Sequence, residues 1–324
     1  MKSAFIDKMV EWWQRYWFSP GALVNLAIVR ILAVGYQLWY LLTFNNLALL
    51  AERASLPDNL YAPVLALRIM LLPFGSGYRP SFELLEVVFW ITVAAGGLAL
   101  VGFRTNLSLV VFTIGALFIQ TFVYSFGDFH HPEAILIMAL ALLALSPSGE
   151  VLSVDHWLRQ RRRGRRAFDV WDLSNQTSVL ATWPLLLTQW LFSLIYFSAA
   201  LSKVLNSGLD WMNGYTLRYY MLTATPTPAD DWLPMLLGQN FLVVTLLSWA
   251  VILFEGTFFL VLIFPRLAWI YVPIGIGMHA SIQLMGMAPF PQYMLLYSVF
   301  VPWDDVIKWT QTRVKLTAVN SAKA

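Results

Sequence analysis

The sequence predicts an all-α integral membrane protein: a single polytopic bundle of about eight transmembrane helices, with both termini cytoplasmic. Three observations predict it. Of 324 residues, 59% are hydrophobic and only 12% charged, whereas a soluble domain carries about 25% charged residues. Apolar runs of near-spanning length, about 20 residues each, recur with short connections between them. The basic residues concentrate in alternate connections, as they do when one side of a membrane retains them.

The elements follow in order. Phe5 to Phe18 mixes Lys8, Glu11 and Arg15 with Trp12, Trp13, Tyr16 and Trp17. Such an aromatic amphipathic segment is expected to lie at the headgroup level and not to be a cleavable signal. Ser19-Pro20 then opens the first span. Spans are predicted at about 21–44, 82–101, 106–124, 131–147, 181–202, 240–263, 267–286 and 290–303. The last is short and flanked by Pro289, Pro291 and Pro302. Leu60 to Phe74, interrupted by Arg68 and bounded by Pro57 and Pro73, reads as an interfacial or re-entrant helix. The whole is one membrane domain over residues 1–303, with 1–20 as its interfacial segment, and 304–324 form a short cytoplasmic tail.

Orientation follows from charge. With the N-terminus inside, fifteen lysines and arginines fall on the inner side and five on the outer. The cluster Arg159, Arg161, Arg162, Arg163, Arg165 and Arg166 dominates the balance, in a loop short enough for the positive-inside rule. The pI near 9.1 therefore sets topology and does not suggest nucleic acid. Arg30 lies within the first span and is expected to pack or anchor there. Cysteine is absent, which excludes disulfides, thiolate nucleophiles and cysteine-ligated metal.

Three outer-side residues stand out. Lys203 closes the fifth span, and an ionisable group there is a functional candidate, although a lysine at a helix end also snorkels to the headgroups. His130-His131-Pro132 opens the fourth span. His279 lies roughly 18 Å from the inner edge of a core about 30 Å thick. Glu255 lies deeper, placed to support His279. Gln283 shares the His279 face one turn on, and Tyr196, Ala199 and Ala200 share that of Lys203. The small residues leave room for a neighbouring helix or a flat ligand. Trp211 follows in an aromatic, glycine-rich stretch. Two histidines and a lysine are too sparse for a metal site.

At these residues a resemblance emerges. Tyr196-Phe-Ser-Ala-Ala-Leu-Ser-Lys203 with Trp211 and Gly214-Tyr215, then Phe129-His-His131-Pro-Glu133 with Ser146-Pro-Ser-Gly149 and Ser153-Val-Asp155, then Glu255 and His279 to Met287 leading to Tyr293, resemble the vitamin K-dependent gamma-glutamyl carboxylases. The wider family is that of the horizontally transferred transmembrane (HTTM) domain. The resemblance covers about 126 to 303; before 120 it is one of hydropathy only. It implies that Lys203 deprotonates a hydroquinone, which oxygen converts into a base strong enough to take a proton from a glutamate γ-carbon before carbon dioxide adds. It also implies that His131 and His279 hold the quinone oxygens or developing negative charge, with His130, Tyr196, Glu255, Gln283 and Trp211 around a lipid-soluble reduced quinone.

Two departures qualify this. The animal carboxylases have adjacent lysines, and Ser202-Lys203 keeps only the second, the one assigned as base. Only Asp304 to Ala324 follow the last span, in place of the large lumenal region that recognises the propeptide. A separate membrane or periplasmic protein is therefore expected to supply the substrate. The expected location is a bacterial inner membrane, with the site towards the outer face. A second reading is a non-enzymatic accessory protein whose outer segments 45–81 and 203–239 bind a secreted peptide or membrane partner for maturation, export or immunity. A transporter is disfavoured, because no inverted repeat is evident.

Overall fold

A computed structural model describes residues 2–75, 77–127, 131–164, 173–223, 232–285 and 290–321. It is helical almost throughout. The described strands, β1 (Gly21–Ala22) and β2 (Thr177–Ser178), pair antiparallel over two residues. The chain forms two compact units, the first comprising 1–186 and 302–324 and the second 187–301.

The first unit holds α1 (Lys2–Phe18), α2 (Leu23–Thr43), α3 (Leu47–Ser55), α4 (Leu65–Met70), α5 (Phe82–Val101), α6 (Thr105–Tyr124), α7 (His131–Ala144) and α8 (Val154–Arg162). Helix α9 (Thr182–Ser207) begins in it, and α16 (Trp303–Ser321) returns to it. Helix α1 exposes Ile6, Met9, Trp12 and Trp13, an apolar surface suited to the headgroup region. Leu60 to Phe74 divides into α4 and two flanking 3-10 turns, each too short to span. Its Leu67 and Leu71 join Leu41, Leu50, Leu85, Phe89, Ile119, Phe122 and Val123 in one apolar core.

Helices α2, α5 and α6 are each long and apolar enough to cross a membrane. Helix α7 is apolar but short, at roughly 21 Å for its fourteen residues. Below it the chain runs as a buried non-helical segment, with Ser146, Ser148, Val151 and Ser153 almost wholly inaccessible. The first span's arginine holds that segment. Arg30, fully buried, donates from Nη1 to Ser148 O at 2.8 Å and from Nη2 to Leu152 O at 2.6 Å. Asn106 donates to Ala144 O and Ser146 O, and Arg159 to Gly149 O and Glu150 O. His156 contacts Glu150 O through Nδ1, so it belongs to this clasp.

Gly102 ends α5 with φ +73, the left-handed conformation glycine adopts without steric cost. A Cβ there would also strike Ser153 and Arg30. The next helix start is capped from afar. Asp155 accepts from Arg104 N, Thr105 N and Thr105 Oγ1 at 2.7–2.9 Å.

The second unit contains most of α9, then α10 (Tyr215–Thr223), α11 (Trp232–Gln239), α12 (Phe241–Thr257), α13 (Leu260–Ile263), α14 (Ala268–Leu284) and α15 (Pro291–Leu296). Two more helices qualify as spans, Thr182–Asn213 (α9 with the 3-10 turn after it) and Pro265–Leu284 (α14 with the 3-10 turn before it). A sixth qualifies if α11 and α12, bent by 97° at Asn240, count as one. Asn240 caps α12 by accepting from Val243 N. The predicted last span is α15 followed by a 3-10 turn at Tyr297–Phe300. The structure is thus that of an all-α membrane protein with five to six candidate spanning helices among the described residues.

Candidate functional site

Lys203 was expected at a helix end. Instead α9 continues to Ser207, and a 3-10 turn over Gly208–Asn213 carries Trp211 back to it. The Lys203 ammonium lies 5.3 Å from the Trp211 ring centroid, within cation–π range. Its Nζ donates to Glu255 Oε2 at 2.6 Å, and the two side chains are 24% and 10% exposed. A cation and an anion in an apolar bundle each lower the cost of the other's desolvation.

The pair exists because α9 and α12 run antiparallel. Ala200 faces Gly256, where even an added Cβ would sit 3.7 Å from it, and Phe197 meets Phe259. The small residues below Lys203 therefore serve a neighbouring helix. Glu255 was expected to support His279; the structure gives it to Lys203. Depth counted from span ends misjudged this, because α9 runs past Lys203 and α12 starts beside the 3-10 turn, where Thr245 Oγ1 donates to Asn213 O.

Two turns before Lys203, roughly 10 Å along α9, Tyr196 forms a second cluster. Its hydroxyl lies 2.5 Å from His279 Nε2 and 2.8 Å from Tyr297 Oη. All three residues are buried. Phe192, Phe258 and Tyr293 close around them at ring distances of 4.9–5.8 Å. Tyr196 thus lies in an aromatic core and does not line an open slot. One polar atom of this core has no match: His279 Nδ1 is buried without a hydrogen-bond partner among the described residues.

Of the predicted site residues, Lys203, Glu255 and Trp211 come together, as do Tyr196 and His279. Gln283 does not join them: it is exposed, whereas His279 is buried. Burial on α14 falls at Gly275 and His279 and not one turn later. His131 begins α7 in the first unit, its side chain outside the described residues, and His130 lies outside them altogether.

Tyr297 was not foreseen. Its signal was present as Tyr293 and Tyr297, four residues apart in a segment starting with proline, but without the partner helices that spacing reads as core. At Gly275 the missing side chain is what admits the Tyr297 hydroxyl. Among the described residues no three His, Asp or Glu side chains gather as a metal-ligand set. No family model, curated protein or solved structure matches the chain.

Proposed function

We propose that the protein is a quinol-dependent membrane enzyme of carboxylase or epoxidase type, an HTTM-domain protein similar to the vitamin K-dependent carboxylases, with Lys203 as its base. The observation that carries this reading is the Lys203–Glu255 pair between α9 and α12, two turns along α9 from Tyr196, whose hydroxyl meets a buried histidine with an unmatched ring nitrogen. These residues fit a hydroquinone head, which has a polar oxygen at each end of an apolar ring. His279 Nδ1 suits one oxygen and Lys203 the other, with Trp211 beside the amine. When bound, a reduced naphthoquinone supplies the electrons that oxygen accepts, and thereby a strong base.

The chain's own part is proton handling. For Lys203 to act as a base, its proton must first pass along the hydrogen bond from Nζ to Glu255 Oε2. With that proton on Glu255, Lys203 Nζ is a free amine and takes another from a phenolic oxygen. The product is an ammonium beside a carboxylic acid, and the new positive charge faces the developing phenolate. Low dielectric strengthens that attraction.

The setting we propose is a bacterial inner membrane. The chain crosses it eight times with both termini cytoplasmic, the site lies towards the outer face, and a separate membrane or periplasmic protein presents the substrate. The test uses purified protein in lipid nanodiscs, supplied with reduced naphthoquinone and oxygen. Lysine-dependent epoxide formation is expected. A folded wild-type protein that neither binds nor turns over the quinol would overturn the reading.

One observation favours the accessory reading as an alternative. Residues 203–239 expose Tyr215, Tyr219, Tyr220 and Trp232, an aromatic surface able to meet a membrane-bound partner. On that reading Lys203→Ala leaves function intact, and substitutions at these aromatics abolish it.

A further inference from the structure

We infer that Tyr297 and Tyr196 form a directed hydrogen-bond relay that fixes His279 in its Nδ1–H tautomer, so that the histidine meets a ligand oxygen as a neutral hydrogen-bond donor. The relay is an inference about this chain alone; the identity of the oxygen, a quinone carbonyl or phenolate, rests on the function proposed above. The argument counts hydrogens. The Tyr196 hydroxyl has one hydrogen and two neighbours, His279 Nε2 and Tyr297 Oη.

In one arrangement Tyr297 donates to Tyr196, Tyr196 donates to Nε2, and the neutral ring carries its proton on Nδ1. A single group is then unmatched, the Nδ1–H. In the reverse arrangement Nε2–H donates to Tyr196 and Tyr196 to Tyr297. Tyr297 Oη, whose hydrogen-bond partner among the described residues is Tyr196, then has no acceptor for its hydrogen, and Nδ1 has no donor. Each buried unmatched polar group costs about 1–3 kcal/mol, so the first arrangement prevails.

The remaining unmatched donor has a use. His279 is 5% exposed, and its ring is fixed by Tyr196 on one side and ring contacts with Phe290 and Tyr293 on the other. An N–H held in this way needs no reorganisation as charge builds on the oxygen it meets. Tyr196 and Tyr297 are accordingly positioning residues: they lie in the closed aromatic core and act on the ligand only through His279.

The test is nitrogen-15 spectroscopy of histidine-labelled protein in nanodiscs, read before any ligand is added. The chain has four histidines, and His279→Gln identifies the resonances. If that variant fails to insert, removing His130, His131 and His156 leaves His279 alone. The expected wild-type spectrum shows a protonated Nδ1 and a bare Nε2. Tyr196→Phe, which deletes the donor, shifts the population towards Nε2–H and weakens naphthoquinone binding about tenfold. A wild-type Nε2–H ring, or a tautomer indifferent to Tyr196→Phe, overturns the relay even if quinone binds. A protonated Nδ1 that does not respond to added naphthoquinone overturns the assigned oxygen, and with it the quinol reading, while the relay stands.

Discussion

Lys203 and Glu255 stabilise one another in a setting where each alone would be a stranded charge, and this complicates any single substitution. Removing one partner of a buried pair costs about 3–5 kcal/mol, chiefly through the charge left behind; with Lys203 a quarter exposed, the lower end applies. Lys203→Ala and Glu255→Gln should each lower thermal stability in detergent, and Lys203→Met with Glu255→Leu should restore most of it. On the proposed chemistry that double variant folds and forms no epoxide; retained turnover would remove Lys203 as base. A second residue-scale prediction concerns Asp155. Burial alone would raise its pKa, but hydrogen bonds from Thr105 and the Arg104 N–H, with the nearby charge of Arg159, outweigh burial and hold the carboxyl below its usual range. A folded pKa below the unfolded value contributes stability above about pH 4 and loses it as pH falls through the folded value. Asp155→Asn should therefore cost about 1–2 kcal/mol at pH 7, and the gap in melting temperature should narrow towards pH 3. A gap independent of pH would mean that the charge is not what holds the cap.

At the scale of elements, the aromatic core of the second unit depends on one absent side chain. A Cβ at Gly275 would collide with the Tyr297 hydroxyl and crowd Phe254. Gly275→Ala should cost about 1–3 kcal/mol by overpacking and displace Tyr297 from Tyr196. The check is quinone affinity alongside melting temperature: Gly275→Ala should impair both, whereas Gly277→Ala, which meets nothing within 4 Å, should change neither. The same core shows what the sequence made legible. Apolar run length located α5 and α6 almost to the residue, because spanning helices are set by hydropathy and bilayer thickness. It placed the end of α9 at 202, because the charge of Lys203 closes the apolar run, whereas the helix continues to Ser207 and passes into a 3-10 turn over Gly208–Asn213. Pairings between helices were not legible. Glu255 was matched to His279 from counted depth, and only the antiparallel register of α9 and α12 assigns it to Lys203.

For the whole molecule, the parity of crossings decides which face Lys203 belongs to, and parity turns on α7. By length α7 falls short of a span, and if it did not cross, the arginine cluster after it would lie outside, against the positive-inside rule. The proposed topology needs the clasp below it to make up the shortfall. Non-helical backbone is tolerated at membrane depth where protein groups satisfy it, and the carbonyls of Ser146, Ser148, Gly149, Glu150 and Leu152 accept from Asn106, Arg30 and Arg159. On the eight-span topology proposed above, helix and following segment make this crossing together. The chain has no cysteine, so single cysteines report topology without background. Asp7→Cys, Arg163→Cys and Thr312→Cys, all exposed, should resist a membrane-impermeant maleimide in intact cells and react after permeabilisation. Asn59→Cys should react at once. If Arg163→Cys reacts from outside while Asp7→Cys does not, α7 fails to cross, Lys203 and His279 move to the cytoplasmic side, and any substrate must reach them from within the cell.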